Sequence, residues 1–134
     1  MADSAGAFDL LIRPRLSMRL EINPNMPMIR NKKIYVDSDN LIVADGLKDL
    51  AQNVFINDAT VTGKLINAAG VTVSGSAFTL NFKSGSDGRY QGTLLNTVTL
   101  VEADSYSVQI TAKSGNLQTI GKRTVQAVRY DFTN

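Results

Sequence analysis

The sequence predicts an all-β fold, an antiparallel sandwich or barrel, and three observations carry that prediction. Branched residues are abundant, with 11 Val, 11 Thr and 9 Ile among 134 residues, whereas Glu occurs only twice. Branched side chains suit the pleated, half-buried surface of a strand, and the scarcity of Glu removes a good helix former. Apolar and polar residues alternate with period two through several segments, the spacing that sends successive side chains to opposite faces of a strand. Turn residues punctuate those segments about every 8 to 12 positions, which favours hairpins over βαβ units. A chain of this length, 43% hydrophobic and 19% charged, is one domain able to bury about two thirds of its surface.

Two compositions meet near residue 36. Residues 13–33 carry Arg13, Arg15, Arg19, Arg30, Lys32 and Lys33 against the single acid Glu21, while residues 37–134 are close to neutral. All prolines and methionines fall in the first 28 residues, and nine of the ten glycines follow residue 45. This divides the chain into an extended basic arm, 1–36, containing Pro and Met, and a β domain, 37–134. Within the arm, Leu16, Met18, Leu20 and Ile22 alternate with Arg15, Ser17, Arg19 and Glu21, a strand whose apolar face needs a partner sheet. Pro14 and Pro24 bracket it, as at the edge of a sheet. It is either an edge strand of its own domain or a strand that docks on a neighbouring subunit, and the composition shift favours the neighbour.

The domain's elements follow in order. Gly46 to Phe55 sets a helical spacing (Leu47, Leu50, Ala51, Val54, Phe55) against β-rich flanks; ten residues make a marginal helix, so a strand, a loop and a second short strand are preferred. Ala59, Val61 and Leu65 share a face with Gly63. Phe78, Leu80 and Phe82 form another strand face, as do Tyr90, Gly92 and Leu94, with Val98 and Leu100 after them. The cleanest alternation places Tyr106, Val108, Ile110 and Ala112 inside. In the last segment it slips between Ala127 and Val128, which predicts a bulge. Turns are expected at Ala69-Gly70, Ser84 to Gly88, Glu102 to Asp104 and Ser114 to Asn116.

The absence of Cys and His excludes disulfides, thiolate or imidazole metal ligands and every nucleophile that needs a histidine base. Asp37, Asp39 and Asn40 have the look of a calcium loop, but Ile42 stands where its glycine belongs; an arm-to-domain turn is expected instead. Gly115 and Gly121-Lys122-Arg123 miss the phosphate-loop spacing and lack its hydroxyl, so a hairpin leading into a basic strand is expected. Asp87 beside Gly88 reads as a turn cap. Tyr35, Tyr90, Tyr106 and Tyr130 could form a sugar platform, but periodicity puts at least Tyr90 and Tyr106 with the apolar faces, so core is favoured. No catalytic, cofactor or metal residue is assigned, and the chain is expected not to be an enzyme. Asp3 and Asp9 occupy the start where a signal peptide is positive, and no apolar run reaches a membrane span, so assembly in the cytoplasm with no membrane partner is expected.

The segment Asn40 to Arg129, with NLIVADGLKD, INDATVTGKLINAAGVTVSG, GSDGRYQGTLL and the following L-x5-Y-x-V-x-I-x-A, resembles small immunoglobulin-like β-sandwich proteins encoded among the structural genes of tailed bacteriophages and prophages. The resemblance covers about 90 of the residues and leaves the arm aside. It implies an immunoglobulin-like antiparallel β-sandwich with an extended N-terminal arm. Leu100 and Tyr106 resemble the leucine and tyrosine of a tyrosine corner, with Val108 where antibody-type domains carry a cysteine. A virion component is then expected, a head decoration or a head-tail junction protein before a tail or baseplate one. Its partners would be major capsid, portal, adaptor or tail proteins and further copies of itself. Assembly would run through the arm residues Arg13, Arg15, Leu16, Met18, Arg19, Leu20 and Ile22, with DNA contact by the basic arm the less favoured alternative.

Overall fold

The computed structural model describes residues 12–24 and 32–131; the expectations placed on Met1, Met26, Pro27, Met28 and Arg30 lie outside them. Among the described residues nine strands follow one another: β1 (Leu16–Ile22), β2 (Lys33–Tyr35), β3 (Asn40–Asp49), β4 (Val54–Phe55), β5 (Thr60–Asn67), β6 (Phe78–Phe82), β7 (Tyr90–Leu94), β8 (Ser105–Ser114) and β9 (Leu117–Val128). They form one sheet in the order β1-β3-β7-β6-β5-β8-β9-β2, with β4 beside β3. Every pairing is antiparallel except β2 with β9. The sheet curls until β1 comes alongside β9 without pairing to it, so the fold is all-β and nearly closed into a barrel.

The expected faces are the buried ones. Tyr106, Val108, Ile110 and Ala112 of β8 point into the core, as do Val61 and Leu65 of β5, Leu80 of β6, and Tyr90 and Leu94 of β7. The segment 46–55 is strand, turn and strand. A helix there would have to bury Val54 and Phe55, which instead are about half exposed, with the Lys48 ammonium 5.1 Å from the centre of the Phe55 ring.

The irregularity expected at Ala127 is there, but its extra residue lies on the opposite strand: the Ala127 amide donates to the Asp104 carbonyl at 2.9 Å, its carbonyl accepts the Ala103 amide at 2.8 Å, and Ala103 takes φ +77°. β9 keeps one register against β8 as far as Gln126, and on its other side Gln126, Ala127 and Val128 pair with Lys33, Ile34 and Tyr35 of β2. At Ala127 two residues of the β7–β8 connection therefore oppose one of β9. A second irregularity, which the sequence reading did not expect, lies between β1 and β3, where the step from Ser17 to Arg19 faces the longer step from Lys48 to Asp45. Gly46 supplies the extra residue at φ +69°, a backbone region that glycine enters without steric cost. The bulge reverses the phase of β3: Ile42 and Ala44 are buried before it, Leu47 and Asp49 after it. At the same place the Leu47 amide donates to the Gly88 carbonyl at 2.9 Å. Gly88, at φ +66°, lies so close that a Cβ would meet the Leu47 backbone nitrogen at 2.6 Å.

The composition break at residue 36 is not a boundary in the packing. β1 and β2 belong to the sheet, and Leu16, Ile22 and Ile34 are fully buried in the core. Of the two readings left open for Leu16 to Ile22, the structure takes the edge strand. Proline brackets such a strand because an edge has no second ladder to lose.

Candidate interaction surfaces

The seven residues through which assembly was expected to run all lie among the described residues. Arg13 is exposed ahead of β1. Leu16 and Ile22 are core, and Met18 and Leu20 pack half-buried against it. Met18 reaches toward β9, its Cε 3.8 Å from where a Cβ on Gly121 would stand. The two strand arginines, expected to serve assembly, are held by the domain's own acids. Arg15 donates from Nε and Nη2 to the two carboxylate oxygens of Asp49 at 2.8 and 2.9 Å, the fork-to-carboxylate geometry that favours Arg over Lys. Arg19 donates to Asp45 at 2.6 Å and to Glu21 at 3.1 Å, and Arg89 lies about 3.5 Å from both acids.

Asp49 does more than pair. Its Oδ1 also accepts the amides of Ala51 and Gln52, closing the turn into β4. The Arg15 hydrogen bonds hold its carboxyl below the ordinary value, and the two amides add to the effect against the opposing cost of burial. Folding therefore favours the ionised form. The resulting stability is complete above the ordinary carboxylate range and is lost as pH falls through the lowered value. Denaturant midpoints followed from about pH 6 down to pH 2 are expected to decline, and Asp49→Asn is expected to be less stable at neutral pH and to show a shallower decline.

The tyrosine-corner residues also have places. Tyr106 is buried, and its hydroxyl accepts the Val101 amide at 2.9 Å, tying the β7–β8 connection back onto β8. Leu100 packs half-buried against the core, and Val108 is fully buried. Tyr106→Phe is expected to cost about 1 kcal/mol and Tyr106→Ala about 3 to 5 kcal/mol, read from denaturation midpoints. Equally mild effects would place the ring outside the core.

Three features escaped the sequence reading. Tyr90 donates its hydroxyl proton to the Ile56 carbonyl at 2.8 Å and accepts the Ala59 amide at 3.0 Å. Burial chiefly pushes its phenol pKa up, the Ala59 amide opposes this, and nearby Asp58 adds to it. Asn40 is a buried hub. Its Oδ1 accepts the Tyr35 amide and Asn23 Nδ2, and its own Nδ2 donates to the carbonyls of Tyr35 and Ser38. Asp39 caps Asn96 through both its amide and side chain, while Asp37 pairs with Arg129, which also reaches Glu102. The three residues that resemble a calcium loop thus serve three separate structural tasks. Among the described residues no group of three or more acidic side chains is placed to hold a metal ion. The β8–β9 hairpin carries Gly115 in its turn and Gly121 within β9.

The end of the barrel that holds Tyr106 also exposes apolar side chains. Val71 in the β5–β6 connection, Leu95 and Val101 in the β7–β8 connection, and Tyr130 after β9 are each between 42% and 59% exposed. Tyr130 stands edge-on to the buried ring of Tyr35, with centroids 5.6 Å apart. Such a surface, stiffened by Tyr106 and by the Arg129 contacts, is suited to binding another protein. No protein-family model matches the chain, and no curated protein matches it.

Proposed function

We propose that the protein is a non-enzymatic structural component of a tailed-bacteriophage particle, head-associated as a decoration or head-tail junction protein, and that its domain is an immunoglobulin-like sandwich. The fold reading is supported by the Tyr106 contact and by two strand groups, β1-β3-β7 and β5-β8-β9, that face each other across the core and are joined through β6. The arm of this proposal is the segment ahead of Leu16, where Ile12 is 82% exposed. Its partners are capsid, portal, adaptor or tail proteins and further copies of itself, in a virion assembled in the host cytoplasm.

One observation carries the assembly role: the exposed apolar set Val71, Leu95, Val101 and Tyr130 at one end of the barrel. Isolated apolar residues on a surface are ordinary, but several on neighbouring loops mark a contact site. Cryo-electron microscopy of purified particles is expected to show the domain in repeated copies with these loops against a neighbour. The double variant Leu95→Asp with Val101→Asp is expected to fold and to be depleted from particles. Absence of the parent protein from particles, or incorporation of the double variant at parental occupancy, would contradict the reading.

A further inference from the structure

The sheet of β5, β8 and β9 turns one face outward, and its register fixes which residues share it. Lys64 lies opposite Gln109, and Gln109 opposite Lys122, forming one cross-strand row. The next row is Thr62, Thr111 and Ile120, and the one beyond is Thr60, Lys113 and Gln118. No acid stands on this face; the carboxylates of the described residues lie in β1, β3 and the loops. Among the described residues no carboxylate lies within ion-pairing distance of Lys64, Lys113 or Lys122. The charge is therefore segregated. Around β1, β3 and β7, Arg19 and Arg89 are matched by Glu21 and Asp45, whereas the β5-β8-β9 face has one sign only.

We propose that this face docks on the phosphate backbone of duplex nucleic acid. Adjacent strands lie about 4.8 Å apart, so the stems of Lys64 and Lys122 are about 10 Å apart. A duplex presents one charge per about 1.7 Å of axis, so a span of that width faces several phosphates whatever the sequence. The threonine hydroxyls and the Gln109 amide supply the uncharged donors that position a protein on a phosphate backbone. Between Thr62, Lys64, Thr79, Gln109 and Thr111 the face dips into a depression of about 370 Å3, where a phosphate meets ammonium and hydroxyl groups together. The aromatic ring that lines this depression, Phe78, is half-buried with its edge against Gly63, and among the described residues no exposed ring stands on the face for an unpaired base to stack on. Ile120 is its one exposed large apolar side chain, too little for the apolar centre of a protein interface, where lysine is also depleted. The inference stands independently of the virion reading and places the contact on the sheet rather than on the basic N-terminal segment.

The test is fluorescence anisotropy of the full chain with labelled duplexes of about 20 base pairs and unrelated sequence, across about 20 to 200 mM salt. The expected result is equal affinity for the duplexes and a log-log salt slope of about −2 to −3, from three lysines at about 0.9 each. The variant Lys64→Glu with Lys113→Glu and Lys122→Glu is expected to keep the parent's circular dichroism and to bind at least about tenfold more weakly. Absence of binding at the lowest salt would overturn the proposal. So would parental affinity in the triple variant, which would assign the contact to the N-terminal basic residues. Competition by poly-glutamate as effective as that of unlabelled duplex at equal charge would also overturn it, in favour of an acidic protein surface.

Discussion

Deletion of residues 1–24 is expected to leave the chain largely unfolded at room temperature. Leu16 and Ile22 are fully buried, and full burial of such side chains stabilises by about 1.5 to 3 kcal/mol each. Met18 and Leu20 add a part of that. The deletion also strips β3 of its β1 ladder and removes Arg15 from Asp49. The sum is comparable with the whole stability of an ordinary domain, about 5 to 15 kcal/mol. Circular dichroism and denaturant titration of the truncated chain would check it. Should the truncated chain prove insoluble, Leu16→Ala and Ile22→Ala in the full chain are each expected to cost about 2 to 5 kcal/mol. A truncated chain with the parent's denaturation midpoint would show that β1 adds nothing to the domain.

Asn40→Leu is expected to have the largest effect of any single conservative-volume change, about 3 to 5 kcal/mol. The side chain is 1% exposed and bonds Asn23, the Tyr35 amide and carbonyl, and the Ser38 carbonyl. It thereby joins the end of β1, β2 and the start of β3. Leucine fills the volume and satisfies none of these groups, and each buried polar group that loses its partner costs about 1 to 3 kcal/mol. Asn40→Asp is expected to be destabilising too, because it keeps the acceptor, loses the donor and buries a charge. Denaturation midpoints of both variants measure the effect; wild-type midpoints would mean that the hub carries no stability.

Which parts of this fold were legible follows from what alternation encodes. A period-two pattern says which side chains share a face, so the inward sets of β5, β6, β7 and β8 could be read directly, and Tyr106 could be placed six residues after Leu100. It does not say which strand pairs with which. The partners of Leu16 to Ile22 lie in β3, and Arg15 and Asp49 are 34 positions apart, so the fate of the basic segment was open. The phase reversal at Gly46 was hidden because a bulge residue looks like any turn glycine inside NLIVADGLKD. Asn40 was read with Asp37 and Asp39 as one local cluster, whereas the fold sends the three side chains in different directions. The sheet face with Lys64, Lys113 and Lys122 was equally hidden, since these residues come together only through register.

The placement of β1 in the domain's own sheet is tested most directly by amide hydrogen exchange along Leu16 to Asn23. The Asn23 amide donates to the Leu41 carbonyl at 2.8 Å, and alternation along an antiparallel ladder then turns the Arg19 and Glu21 amides toward β3 and the Leu20 amide toward the free edge beside β9. Strong protection at Arg19, Glu21 and Asn23 with fast exchange at Leu20 is the predicted result in the isolated protein. Uniformly fast exchange through this segment in an otherwise protected domain would contradict it and return β1 to the role of an arm awaiting a neighbour.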